Sequence, residues 1–65
     1  MKINKEKLLL FMARQAMNPY GLCEKAEICY ASYRRIVSGT ICKPATAGKI
    51  ARALGVDVTE IIQEN

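Results

Sequence analysis

What most limits the folds open to this chain is its punctuation. Asn18-Pro19, Ser38-Gly39, Pro44 and Gly55 divide 65 residues into short segments. Asparagine is a good helix N-cap, proline suits the first helical position, and glycine is the usual left-handed residue after a helix. Between the breaks, apolar residues recur at helical rather than alternating spacing. The chain must therefore build its core by packing short helices on one another. The expected fold class is all-α, with five helices over about 4–17, 19–26, 30–38, 44–54 and 58–63, and with no strands, repeats or linker.

Each helix has a readable inner face. In the first, Asn4 is the cap, and Leu8, Phe11, Met12 and Ala16 form an i, i+3, i+4, i+8 stripe. Leu9, Leu10 and Ala13 lie off that stripe, making the helix apolar nearly all round. Such a helix is buried on more than one side or offers a protein interface. The second helix turns Leu22, Cys23 and Ala26 inward, and Gly21 weakens it by about 1 kcal/mol relative to alanine. The third turns in Tyr33, Ile36 and Val37, and Gly39 follows it. The fourth turns in Ala47, Ile50, Ala51 and Leu54 and closes at Gly55. "DVTE" has the Asp-x-x-Glu form of a capping box and opens the last helix, with Val58, Ile61 and Ile62 apolar.

One domain is the only sensible count at this length. The longest apolar run, "LLLFMA", is far short of the roughly 20 residues a membrane span needs. It follows "MKINKEK" as a signal-peptide core would, but "RQAMN" stands where a cleavage site belongs, so a cytoplasmic protein is expected. The three cysteines, Cys23, Cys29 and Cys42, are odd in number, and there is no histidine. A disulfide framework uses an even number, and a zinc site would lack a ligand, so no metal and no cofactor is expected. Enzyme activity is not expected either: no acidic pair or glycine-rich phosphate loop is present, and Cys29 as a nucleophile would have no imidazole base.

The net charge is +4, and its distribution says more. No acidic residue lies between Glu27 and Asp57, whereas Arg34, Arg35, Lys43, Lys49 and Arg52 all do. An acid-free basic stretch across the middle of a small domain is the footprint of a polyanion site. The second and third helices are joined by about three residues, which makes them cross steeply, as in a helix-turn-helix. The second member of such a pair can enter a DNA major groove about 12 Å wide. Here that member turns Tyr30, Ala31, Arg34 and Arg35 outward, and arginine can donate two hydrogen bonds to guanine.

The segments "MNPYGLCEKAEICYASYRRIVSG" and "KPATAGKIARALGVDVTEII" resemble the DNA-binding domain of phage repressors and Cro proteins, the XRE family with its five-helix lambda-repressor-like fold. The resemblance covers residues 5 to 63 and implies a dimeric transcriptional regulator, with repression the expected output, on a palindromic operator. By position it implies base contacts at Tyr30, Ala31 and Arg35, base or phosphate contacts at Ser32 and Arg34, and phosphate contacts at Asn18, Ser38, Thr40 and Lys43. Lys49 and Arg52 read as solubilising charges. Leu9 and Leu10, or Ile61 and Ile62, are the expected dimer or partner surface. The family often carries Ser-Gln where this chain has Asn18-Pro19, glycine where it has Glu27, and valine or isoleucine where it has Tyr33. A left-handed Glu27 would cost about 1 kcal/mol, and a buried Tyr33 hydroxyl needs a partner. The alternative is a protein-interaction module, such as an antitoxin or an accessory subunit of another regulator.

Overall fold

The computed structural model describes residues 1–63. Four α-helices follow one another: α1 (Lys5–Arg14), α2 (Pro19–Ala26), α3 (Tyr30–Val37) and α4 (Pro44–Leu54). A single 3-10 turn, Val58–Glu60, comes next. The all-helical class holds among the described residues, but the expected fifth helix over 58–63 is only this turn.

The helix starts follow the capping signals. Asn4 Oδ1 accepts from the Lys7 amide at 3.1 Å, and Asn18 Oδ1 accepts from the Gly21 amide at 2.6 Å. Pro19 and Pro44 occupy first turns, where a missing N–H matters little. The helix ends share one device. All four α-helices close with paired 6→1 and 5→2 amide–carbonyl bonds around a left-handed residue, the Schellman arrangement. The left-handed residue is Gly39 after α3 and Gly55 after α4, but Ala16 after α1 and Glu27 after α2.

Ala16 corrects the expected span of the first helix. With φ +51° it is not helical, and it is exposed rather than on the core stripe. No breaker marks this stop. Asn18 must be extended to cap α2, and the Gln15 side chain donates to the Leu54 carbonyl at 2.5 Å. These tertiary demands outweigh the intrinsic preference to continue the helix.

The last segment is corrected for a related reason. Asp57 caps the Thr59 amide at 3.0 Å and also takes the Thr59 hydroxyl. Beyond the turn, Ile3 and Ile62 form an antiparallel bridge. The Asn4 amide donates to the Ile61 carbonyl and the Gln63 amide to the Lys2 carbonyl, both at 2.7 Å. Groups that would continue a helix are thereby spent on an extended partner.

The core is one cluster. Leu8, Leu22, Ile50, Ile3 and Ile61 are its largest fully buried members, joined by Met12, Cys23, Ala26, Tyr33, Ile36, Ala47, Ala51, Ala53 and Leu54. Helix α2 packs against both α3 and α4, and α4 packs against the 3-10 turn. Every expected inward residue of α2 and α4 is buried. Ile3 was not expected in the core, and Ile61 lies inside it rather than on a partner surface.

Candidate nucleic-acid interface

The outward set of α3 is exposed as its periodicity implies. Ala31, Arg34 and Arg35 face solvent, while Tyr33 and Ile36 point into the core. Ser32 is half-buried, and its Oγ lies 3.2 Å from Cys29 Sγ at the start of the helix. That hydroxyl, with help from the Ser32 amide, draws the exposed Cys29 thiol below its ordinary pKa. Burial pushes the Cys23 thiol up instead. Tyr33 answers the need of its hydroxyl by donating to Met12 Sδ at 3.9 Å, a weak bond to a soft acceptor.

Four of the expected contact residues meet at one place. Ser32, Arg35, Thr40 and Lys43 line an open cleft of about 320 Å³ between α3 and the beginning of α4, together with Ile41 and Thr46. The Schellman closure after α3 builds one wall, since the Gly39 and Thr40 amides return to the Ile36 and Arg35 carbonyls. The far end of the loop is pinned by residue 1: the Cys42 amide donates to the Met1 carbonyl at 2.6 Å, and the Met1 ammonium donates to the Cys42 carbonyl at 2.8 Å. Lys43 holds the N-cap position of α4 and makes no side-chain cap bond.

Ser38 lies elsewhere. Its hydroxyl donates to the Arg35 carbonyl at 2.8 Å, and it lines a different cleft with Lys2, Asn4 and Lys5. Its single proton is thus already committed. Asn18 is exposed, but its side-chain oxygen is committed to capping α2.

Tyr30 is more constrained than a plain outward aromatic. Its ring stacks on Tyr20 of α2, with centroids 4.8 Å apart and planes 16° apart, and on Tyr33, at 5.9 Å and 24°. It nevertheless stays 39% exposed. Sequence periodicity assigned Tyr20 no role because the stack joins two helices. Ile41 is 74% exposed in the cleft wall.

On α1, Leu9 and Leu10 are 41% and 49% exposed, and Leu10 lines an open cleft with Thr59 and Glu60 of the 3-10 turn. The Arg14 guanidinium stands over the half-buried Phe11 ring at 5.4 Å beside them. No helix among the described residues is long and apolar enough to cross a membrane.

No family model matches the chain, and no curated protein does. Solved structures do. A mutant of hydroxyethylphosphonate dioxygenase aligns with a TM-score of 0.86 at 23% identity, over 98% of this chain and 14% of that one. Cadmium-containing structures of PhpD, one complexed with hydroxyethylphosphonate and one native, align at 0.84 and 0.85 with the same identity and coverage. The likeness at this identity is one of fold, and the chain spans only 14% of the length of those proteins.

Proposed function

We propose that this chain is a sequence-specific double-stranded DNA-binding regulator of the XRE type that reads the major groove with α3. The observation that carries the reading is the cleft where Ser32, Arg35, Thr40 and Lys43 meet beside an exposed Arg34. The arginines and Lys43 would displace counterions from phosphates, giving salt-dependent affinity. Arg35 would donate to a base edge, with Arg34 and Ser32 on a base or phosphate and Tyr30 and Ala31 at the groove floor. Thr40 and Lys43 would hold the backbone beyond α3, and Asn18 with the start of α2 would hold it on the other side.

A single module of this kind covers only about 600–1,000 Å² on DNA. High specificity then calls for a homodimer on a palindromic operator with half-sites about one helical turn apart. The output is transcriptional, with repression by occluding the polymerase the simplest mechanism, in the cytoplasm of a bacterium or from a phage genome.

A second reading is favoured by one observation, the exposure of Leu9 and Leu10 on α1. On that reading the chain is an interaction module, an antitoxin or an accessory subunit docking through α1. The occurrence of the same fold as a small part of a longer dioxygenase chain is compatible with such use.

Selection from a randomised duplex pool, followed by fluorescence titration of the enriched duplex at several salt concentrations, separates the two. An enriched palindrome with a steep salt slope supports the DNA reader. Weak binding with no enriched site rejects it and favours the docking module.

A further inference from the structure

Tyr20 lies in the first turn of α2 and is 67% exposed, so it contributes little to the core. It nevertheless stacks almost parallel on Tyr30, the first residue of α3. Tyr30 stacks in turn on buried Tyr33, whose hydroxyl is held by Met12 of α1. Three rings thus run from the core to the surface and end on an exposed aromatic. Offset stacking at these separations is attractive in its own right and fixes the ring planes relative to one another.

We propose that Tyr20 is a positioning residue for DNA readout: it clamps the Tyr30 ring so that the Tyr30 hydroxyl meets a base edge already oriented. The inference rests on the DNA-reading role proposed above and adds to it a residue from outside the reading helix. A free surface tyrosine gives up rotamer freedom when it engages a groove, and this ordering weakens binding. Stacked on both Tyr20 and Tyr33, Tyr30 has surrendered much of that freedom before DNA arrives. Its hydroxyl can donate to a purine N7 or a thymine O4 or accept from an amino group. The clamp needs only the Tyr20 ring, not its hydroxyl.

The test compares the unmodified chain with Tyr20→Ala, Tyr20→Phe and Tyr30→Phe. Each is titrated against the duplex enriched from the randomised pool and against a random duplex at several salt concentrations. Tyr20→Ala should lose about two- to tenfold in affinity for the enriched duplex only, the range expected for ordering one side chain. Its salt slope should not change. Tyr20→Phe should bind like the unmodified chain, and Tyr30→Phe should lose the same preference as Tyr20→Ala. In the free protein, Tyr20→Ala should shift the Tyr30 ring proton resonances downfield as the neighbouring ring current is removed, with the melting curve showing the fold intact.

An unchanged specific-to-random ratio in Tyr20→Ala overturns the inference while leaving the DNA-reading role standing. Equal loss on both duplexes at an unchanged salt slope, since a phenol hydroxyl displaces no counterion, makes Tyr20 a phosphate contact and also overturns it. So does failure of Tyr20→Phe, which would put the hydroxyl rather than the ring on DNA. If the unmodified chain enriches no site at all, the DNA-reading role falls and the inference falls with it.

Discussion

The Ile28 amide closes onto the Cys23 carbonyl at 3.0 Å, and the residue it loops around, Glu27, is held at φ +58°. This one bond sets the turn between α2 and α3, and it forces an L-residue with a side chain into left-handed backbone.

Glycine carries no steric penalty in that conformation, so Glu27→Gly should stabilise the domain by about 1 kcal/mol. In a domain of this size that corresponds to a rise in melting temperature of about 4–8 °C. Ala16→Gly, at φ +51°, should behave alike, and the two gains should add because the turns are separate. Thermal denaturation followed by circular dichroism measures both; a fall in melting temperature for Glu27→Gly would mean that its turn is not left-handed in solution.

Ile3 is 2% exposed and backs the pairing with Ile62. Truncating it to alanine should cost about 2–5 kcal/mol, the range for emptying a large buried site. For a domain this small that is much of its total stability. Urea titration should show a midpoint shifted sharply down at unchanged slope. A loss under 1 kcal/mol would show that the 1–4 segment does not seal the core.

Arg35 and Lys43 line the same cleft but should fail differently. Arg35→Ala should lose about 1–3 kcal/mol on the enriched duplex and relax preference at one base pair. Lys43→Ala should weaken every duplex alike and reduce the salt slope by about one. If both variants lower specific and random binding in the same proportion, neither residue reads a base.

The Ser32 hydroxyl against Cys29 stabilises the thiolate, so Cys29 should ionise at lower pH than an ordinary thiol. Cys23, buried and pushed the other way, should stay inert in the folded state. Iodoacetamide at neutral pH should therefore label Cys29 well before Cys23. In Ser32→Ala the thiol returns upward, and the rate-against-pH curve for Cys29 should move to higher pH. Peptide mass spectrometry of timed samples reads both, and an unmoved curve would leave Ser32 without influence on the thiol.

Much of this architecture is legible in local sequence because its rules are local. Asn4, Asn18, Gly39 and Gly55 announce helix boundaries through bonds spanning a few residues, and the α4 face of Ala47, Ile50, Ala51 and Leu54 repeats at helical spacing. What stayed hidden depends on residues far apart. Ala16 leaves the helix to suit the next cap and a bond to Leu54; Ile3 joins the core through a partner near the other end; Tyr20 matters only because α2 sets it against Tyr30. The outward set Ala31, Arg34 and Arg35 was readable from α3 alone. The cleft that gathers Arg35 with Thr40 and Lys43 was not, because it requires the loop to fold back onto the helix.

The pairing of residues 2–4 with 61–63 also bears on the order in which the molecule comes apart. Almost every other backbone bond outside the helices closes a span of five residues or fewer. These contacts close nearly the whole chain, so their loop entropy is the largest to be overcome, and they should form after the helices have collapsed. Native-state hydrogen exchange would then find the Asn4 and Gln63 amides opening in a sub-global event that leaves α2 and α4 assembled. Because Met1 and Cys42 share the same edge, that opening would also free the loop carrying Lys43, coupling local unfolding at the chain ends to the surface beside α3.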